Sequence, residues 1–481
     1  MRRSSTRAIP PAPSTPSSTA APSRRPRGPG RRAAAVGAVL ALTGAAAACG
    51  NAGGGSAGEA DFTGEPSGDL HAWAFDNADD VGQARLDQAE AALPDVTIDL
   101  DATAFDSQKF TTRMASSDVP DVVQMDRRVI PTYAAQGLIQ PLDQCFTAHD
   151  VTPDEWWYPA VVDDVRWNDH VWAVPQFYQP PAILLNTRVM AAAGVTADQI
   201  DTSDPDTLMA AIEAMYAESG GVPVTLGLDP NPVGQAPLWI LGSGGQLIDD
   251  DGRPTLDDPS NVAGVELLKE IIDAQGGYAA VKSLTDSFDS FGDGNQYVTD
   301  QVGAQVNAQW YPNVLSPYVG QVELEAVPFR DADGNPFSVA GGTGFVIPAG
   351  ASNPAAACAW MIELTSMDAW EAAGAARAAS READGGINTG IMTGSPEADA
   401  AIRDKYVVPS GDDGFDQVIA TYYDVLDYGR TFGASPAGQD VQDELNNAIT
   451  AALLGDKSIE QALGDAQKAA ERAYESVTKQ G

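Results

Sequence analysis

Four short runs bring hydrogen-bonding and aromatic side chains together: Asp76-Asn77, Gln124 with Asp126-Arg127, Phe177-Tyr178-Gln179 and Trp310-Tyr311. Carboxylates, carboxamides and guanidinium groups bond hydroxyls, and aromatic rings cover C–H faces. Such a set suits reversible capture of a polyhydroxylated solute such as a sugar. Any single Trp or Tyr is more often a half-buried core residue, and only the recurrence of the pattern gives it weight. Reactive constellations are scarce. His71, His149 and His170 form no H-E-x-x-H, and neither G-x-S-x-G nor G-x-x-x-x-G-K-[ST] occurs. His149 lies four residues after Cys145, with no second pair to complete a zinc spacing. Asp249-Asp-Asp-Gly252 and Asp331-Ala-Asp-Gly-Asn335 lack the remaining ligands of a calcium loop and read as Asp-Gly turns. No cofactor and no metal is expected. Paired carboxylates for glycoside hydrolysis are available among 67 acids, but nothing singles a pair out.

The elements around these runs place them at strand ends. Leu70-His-Ala-Trp-Ala-Phe75 fits a buried strand, residues 81–93 a helix stopped by Pro94, and 96–100 a second strand. Residues 105–116 read as a helix and 121–125 as a third strand, a β-α-β-α-β rhythm that implies a parallel sheet covered by helices. The rhythm recurs later. Asp204-Pro205 opens a helix, 224–228 is a strand, 262–272 a helix, and 302–306 and 322–326 are strands. Ser458-Ile-Glu-Gln461 is a capping box ahead of a stripe of Ile459, Leu463, Ala466, Ala470, Tyr474 and Val477, which is core packing. Open α/β sheets hold ligands beyond the carboxyl ends of their strands, where the four runs fall.

A chain of 481 residues is too long for one core and implies two lobes or domains. Its formal charge is −39. Residues 1–48 carry eight Arg and no acid, so from Cys49 onward 20 bases face 67 acids. That surface repels phosphate backbones, which excludes nucleic acid as a partner, and charge alone will not dock it on anionic lipid. Arg31-Arg32 precede an Ala-rich run over 33–48, which suits a signal segment better than a membrane span. Small residues then lead into Cys49-Gly50. The segment resembles a bacterial lipoprotein signal with Cys49 as the lipidated residue, although Ala46 stands where a bulky aliphatic is usual. Ordinary secretion is the alternative. Residues 1–48 are thus expected to be a signal peptide and 49–68 a flexible tether. Outside the cytoplasm Cys145 and Cys358 either pair or remain two buried thiols.

From Leu70 onward several motifs follow in order: Val119-Pro-Asp-Val-Val-Gln-Met-Asp126, Ala134-Ala-Gln-Gly-Leu-Ile-Gln-Pro-Leu-Asp143, Trp172-Ala-Val-Pro175 with Leu184-Leu-Asn186, Gly244-Gly-Gln-Leu247, and Gly341-Gly-Thr-Gly-Phe-Val-Ile-Pro348. In this order they resemble the extracellular solute-binding proteins of carbohydrate ABC importers, the group that includes maltose-binding protein. Leu185 replaces the usual aromatic before Asn186, and Asn168-Asp169 replaces a G-K pair.

The resemblance implies an α/β, two-lobed periplasmic-binding-protein-like fold, with a ligand cleft between lobes joined near 174–176, 340–342 and 430–436. Lobe 1 would comprise 69–174 and 341–430, and lobe 2 would comprise 175–340 and the C-terminal helices of 431–481. Asp76, Asn77, Gln124, Asp126, Tyr178, Gln179, Trp310, Tyr311, Gly342 and Thr343 match cleft positions, with Trp310 as stacking platform and Asp126 as hydroxyl acceptor. Cys145 and Cys358 would share lobe 1, where a disulfide is feasible. The implied role is that of a lipid-anchored, extracytoplasmic, monomeric and non-catalytic receptor. It would hand a sugar or oligosaccharide to a membrane permease whose ATPase is cytoplasmic. The alternatives are a secreted glycoside-processing enzyme and a binding protein for a non-sugar polar solute.

Overall fold

The computed structural model describes residues 61–75, 79–116, 118–339 and 341–479. The expected signal peptide, Cys49, Asp76 and Asn77 lie outside these residues, as does most of the tether. The tether expected through residue 68 ends sooner, because Phe62 is buried in the core and the first strand begins at Gly68.

Apolar runs bounded by Gly, Asp and Pro form the strands. In chain order these include β1 (Gly68–Trp73), β2 (Val96–Asp101), β3 (Val122–Asp126), β4 (Val174–Gln179), β5 (Pro181–Asn186), β6 (Ala217–Ser219), β7 (Val222–Asp229), β8 (Val302–Ala308), β9 (Leu324–Val327), β10 (Pro336–Val339), β11 (Gly341–Val346) and β12 (Gly429–Arg430). One five-stranded sheet has the order β2-β1-β3-β11-β4, the other β9-β5-β8-β7-β6. In the first, β1 runs parallel to β2 and β3, while β11 is antiparallel to β3 and β4. In the second, β7 and β8 are parallel and β5 is antiparallel to β8 and β9. The central strands are apolar on both faces, with Val122, Val123, Ile183, Leu184 and Leu185 all buried, as strands covered on both sides must be.

The chain changes sheets between Gln179 and Pro181, and again between β10 and β11. β12 lies parallel to β10 through Ser338↔Gly429 and Val339↔Arg430, which sets a third connecting segment beside the second. Ser338 Oγ donates to Pro181 O at 2.9 Å and ties the first to both.

Local signals hold at several helices. Asp204 caps Pro205–Met215, and Ser458 caps Ile459–Thr478, whose Leu463, Ala466, Ala470 and Tyr474 are buried. One expectation needs correcting. Residues 341–430 are expected in lobe 1, yet the helix Asp413–Asp424 packs on β9 of the second sheet. The Gln417 carboxamide exchanges hydrogen bonds with both Ala326 N–H and Ala326 O at 2.8 Å. β9 is an edge strand, and the helix satisfies backbone groups that would otherwise stay open. Cys145 and Cys358, both fully buried, form a disulfide with Cα atoms 5.7 Å apart, joining the helices Asp143–Ala148 and Pro354–Leu364. Among the described residues no helix is long and apolar enough to cross a membrane.

Candidate functional site

Both sheets turn the carboxyl ends of strands toward a common cleft, the usual ligand position in open α/β sheets. On one side β3 ends in Asp126 and β4 in Gln179, with the start of β11 beside them. On the other, β7 ends at Asp229 ahead of Asn231, and β8 runs through Asn307 toward Trp310. Between them lies a cavity of about 290 Å³, lined by Asp126, Arg128, Gln179, Gly341, Gly342, Asn231, Gln235, Asn307, Trp310 and Phe432. Gln179 and Trp310 also border a second chamber of about 160 Å³, with Asp79, Phe177, Gln309, Asn313, Arg377, Thr389 and Met392.

The lining is rich in carboxamides, which donate and accept. Gln309 Oε1 and Asn313 Oδ1 are buried without a protein partner, so they are open acceptors. Trp310 is 41% exposed, and its ring lies parallel to that of Phe291 at 6.1 Å between centroids. Asp126 receives Arg128 Nε on one oxygen at 2.9 Å and Nη2 on the other at 2.8 Å. Burial works against its ionisation, but the hydrogen bonds and charge of Arg128 outweigh that and hold the carboxyl below its ordinary range. An anchored carboxylate with spare lone pairs beside amides and an exposed indole can orient hydroxyls and cover an apolar sugar face.

The expected residues divide. Asp126, Gln179, Trp310 and Gly342 line the cavity. Tyr178 does not: it is buried, stacks on Tyr158 at 5.2 Å, and fills the space a side chain at Gly429 would need. Tyr311 is also buried, with its hydroxyl bonded to Asn295 and Gln296. Gln124 is buried within β3, and Thr343 is half-buried; both accept from Gln176 Nε2. Strand alternation explains Tyr178 against Gln179 and Thr343 against Gly342, because neighbouring residues on one strand face opposite sides. Tyr311 turns inward as the first residue of the helix Tyr311–Leu315. Asn231, Gln235 and Asn307 were not anticipated, although the strand-end rule reaches Asn231 and Asn307. Phe432 and the segment 389–392 carry no local signal, because only the tertiary fold brings them to the cleft.

Two α/β lobes with a polar, aromatic-edged cavity at their strand ends define a two-lobed binding protein. Residues 79–369, more than half of the chain, match the bacterial extracellular solute-binding proteins, and the chain belongs to that family. Among curated proteins none is significantly similar to it. Solved structures with the same fold include CpMnBP1 with mannobiose bound (TM-score 0.66, 20% identity, covering 84% of this chain and 99% of that one). Another is the ABC substrate-binding protein Lmo0181 from Listeria monocytogenes in complex with cycloalternan (0.64, 15%, 84% and 98%). A third is UgpB from Mycobacterium tuberculosis in complex with glycerophosphocholine (0.60, 18%, 86% and 99%). The likeness establishes the two-lobed periplasmic-binding-protein fold.

Proposed function

We propose that this chain is the substrate-binding component of an ABC importer, and that it captures a sugar or oligosaccharide in the cleft and delivers it to a membrane permease. The observation that carries this reading is the carboxamide-rich cavity with the exposed Trp310 at its edge. The sugars bound by two of the structural neighbours support it. The contact set is Asp126, Gln179, Trp310 and Gly342, joined by Asn231, Gln235 and Asn307, with Asp76 and Asn77 ahead of Asp79. The chain performs no chemistry on its ligand and acts as a monomer. Lobe 1 comprises 69–174 and 341–430 apart from the helix Asp413–Asp424, and lobe 2 comprises the remainder of 175–481. Binding draws the lobes together. A panel of manno- and gluco-oligosaccharides tests this. At least one should raise the melting temperature and shrink the radius of gyration at saturation. An unchanged radius together with turnover of the sugar would point to the glycoside-processing alternative.

Cys49 is the lipid-bearing residue in this reading, and the acidic tether spaces the lobes from the membrane. Cys49→Ala should release the protein to the medium or block its processing. Normal processing with wild-type membrane fractionation would refute the anchor.

A further inference from the structure

Arg127 follows the cleft carboxylate Asp126, yet it points away from solvent and is 1% exposed. Its guanidinium bonds two of the connecting segments directly and the third through Asp164. Nη1 donates to Phe177 O and, at 3.4 Å, to Gln176 O, on the strand that leaves the first sheet. Nη2 donates to Gly341 O at 3.0 Å, where the chain returns. Nε pairs with Asp164 Oδ2 at 3.3 Å, and the other Asp164 oxygen accepts from Thr431 Oγ1, just past β12.

The surroundings are built around this group. A Cβ at Gly342 would lie 2.0 Å from Arg127 Nη1 and 2.3 Å from Phe177 O. Phe177 has φ +56°, a left-handed conformation that is strained for a bulky residue and persists only where neighbours enforce it. Arg127 on its carbonyl and Trp370 against its ring are such neighbours. A planar guanidinium can hold divergent acceptors at fixed angles, which a lysine ammonium does not reproduce.

We propose that Arg127, held by Asp164, is the positioning residue that registers the three connections to one another, so that Phe177, Gly341 and Thr431 turn as one unit when the lobes move. The idea rests on the lobe motion of the proposed function. It adds that this motion has one axis, set by one side chain, and that Gln179 and Gly342 are placed in the cleft by the same pin.

The test measures the distance between spin labels on Ala92→Cys and Ala214→Cys, exposed positions on the helices Asp80–Ala92 and Pro205–Met215. The ligand-free full chain carries the labels in wild-type, Thr431→Val, Thr431→Ser and Arg127→Lys backgrounds. Thr431→Val removes the hydroxyl that links the third segment to Asp164 and accepts from Gly433 N–H within that segment. It should broaden the distance distribution, Thr431→Ser should restore the wild-type width, and Arg127→Lys should broaden it further. A purely structural contribution would lower the melting temperature and leave the width of the folded population unchanged, and that result would overturn the proposal. If Arg127→Lys does not fold, the two Thr431 variants decide. The distances are read without ligand. Failed sugar titrations would therefore sink the sugar reading and leave the pin standing, while unchanged widths would sink the pin alone.

Discussion

The lobes bury their polar groups in different chemical forms. The first encloses charges: Arg85, Asp121, Arg127 and Asp164. The second encloses mainly carboxamides, among them Asn261, Gln275, Asn295, Gln296 and Gln305. The charges gather segments remote in sequence. Asp121 accepts from the backbone N–H groups of His71, Ser352 and Asn353, and Arg85 donates to Leu364 O and Gln176 Oε1. The carboxamides of Asn261 and Gln275 bond neutral backbone groups. Asn261 donates to Gln246 O and Thr255 O, and Gln275 brackets Leu228 through both its N–H and its carbonyl. A buried charge needs several partners to offset its desolvation, whereas an amide is satisfied by two or three neutral ones. Losing a partner should therefore cost more at a buried charge than at a buried amide.

Removing one group from each lobe is the sharpest way to break this contrast. Asp164→Ala leaves Arg127 buried without its counter-charge and should cost about 3–5 kcal/mol. Gln275→Leu leaves the two polar groups of Leu228 unpaired and should cost about 1–3 kcal/mol. Denaturant unfolding of both variants measures the difference, and equal costs would remove the distinction. Burial raises the Asp164 carboxyl even with Arg127 beside it, so the pair's contribution is registration more than net stability.

A third buried acid of the first lobe sharpens the comparison through pH. Asp399 accepts from Thr393 N and Thr393 Oγ, one residue past the cleft-lining Met392. Burial pushes its carboxyl up to about 7, against the hydrogen bonds from Thr393 and Tyr158. The native group thus keeps its proton up to about pH 7, while the unfolded one releases it near 3.8. Its contribution is fully present below that lower value and is lost as pH rises toward 7. Asp399→Asn keeps the acceptor and removes the titration. Wild type should lose more stability than the variant between pH 4 and 7, by at most about 4 kcal/mol. Parallel pH profiles would show that this acid is not held protonated.

Most of the architecture was legible in the chain. The alternating β and α patterns around 70–126 and 204–326 fall on real elements, because each apolar run is flanked by a residue that caps or breaks it. The resemblance alone assigned residues 341–430 to one lobe, and no local signal marks the helix Asp413–Asp424 as the segment that covers the open edge of β9. The site was half legible. Strand ends located Asp126, Gln179 and Trp310, but pattern alone could not choose which of Tyr178 and Gln179, or of Trp310 and Tyr311, faces the cleft. Tyr178 and Tyr311 turned inward, where their hydroxyls and rings pack among buried groups. Arg127, read with Asp126 as part of a hydroxyl-binding run, turns inward instead, and nothing local marks the three carbonyls it meets.

The most direct test of the account is a paired titration and unfolding measurement on Trp310→Ala, using the sugar that stabilises the wild type best. Half-exposed at the cleft edge and stacked on Phe291, Trp310 should contribute to ligand and little to core. Affinity should fall by about 1–3 kcal/mol with ligand-free stability nearly unchanged. Unchanged affinity with a stability loss of about 3–5 kcal/mol, the signature of a truncated core residue, would contradict that expectation.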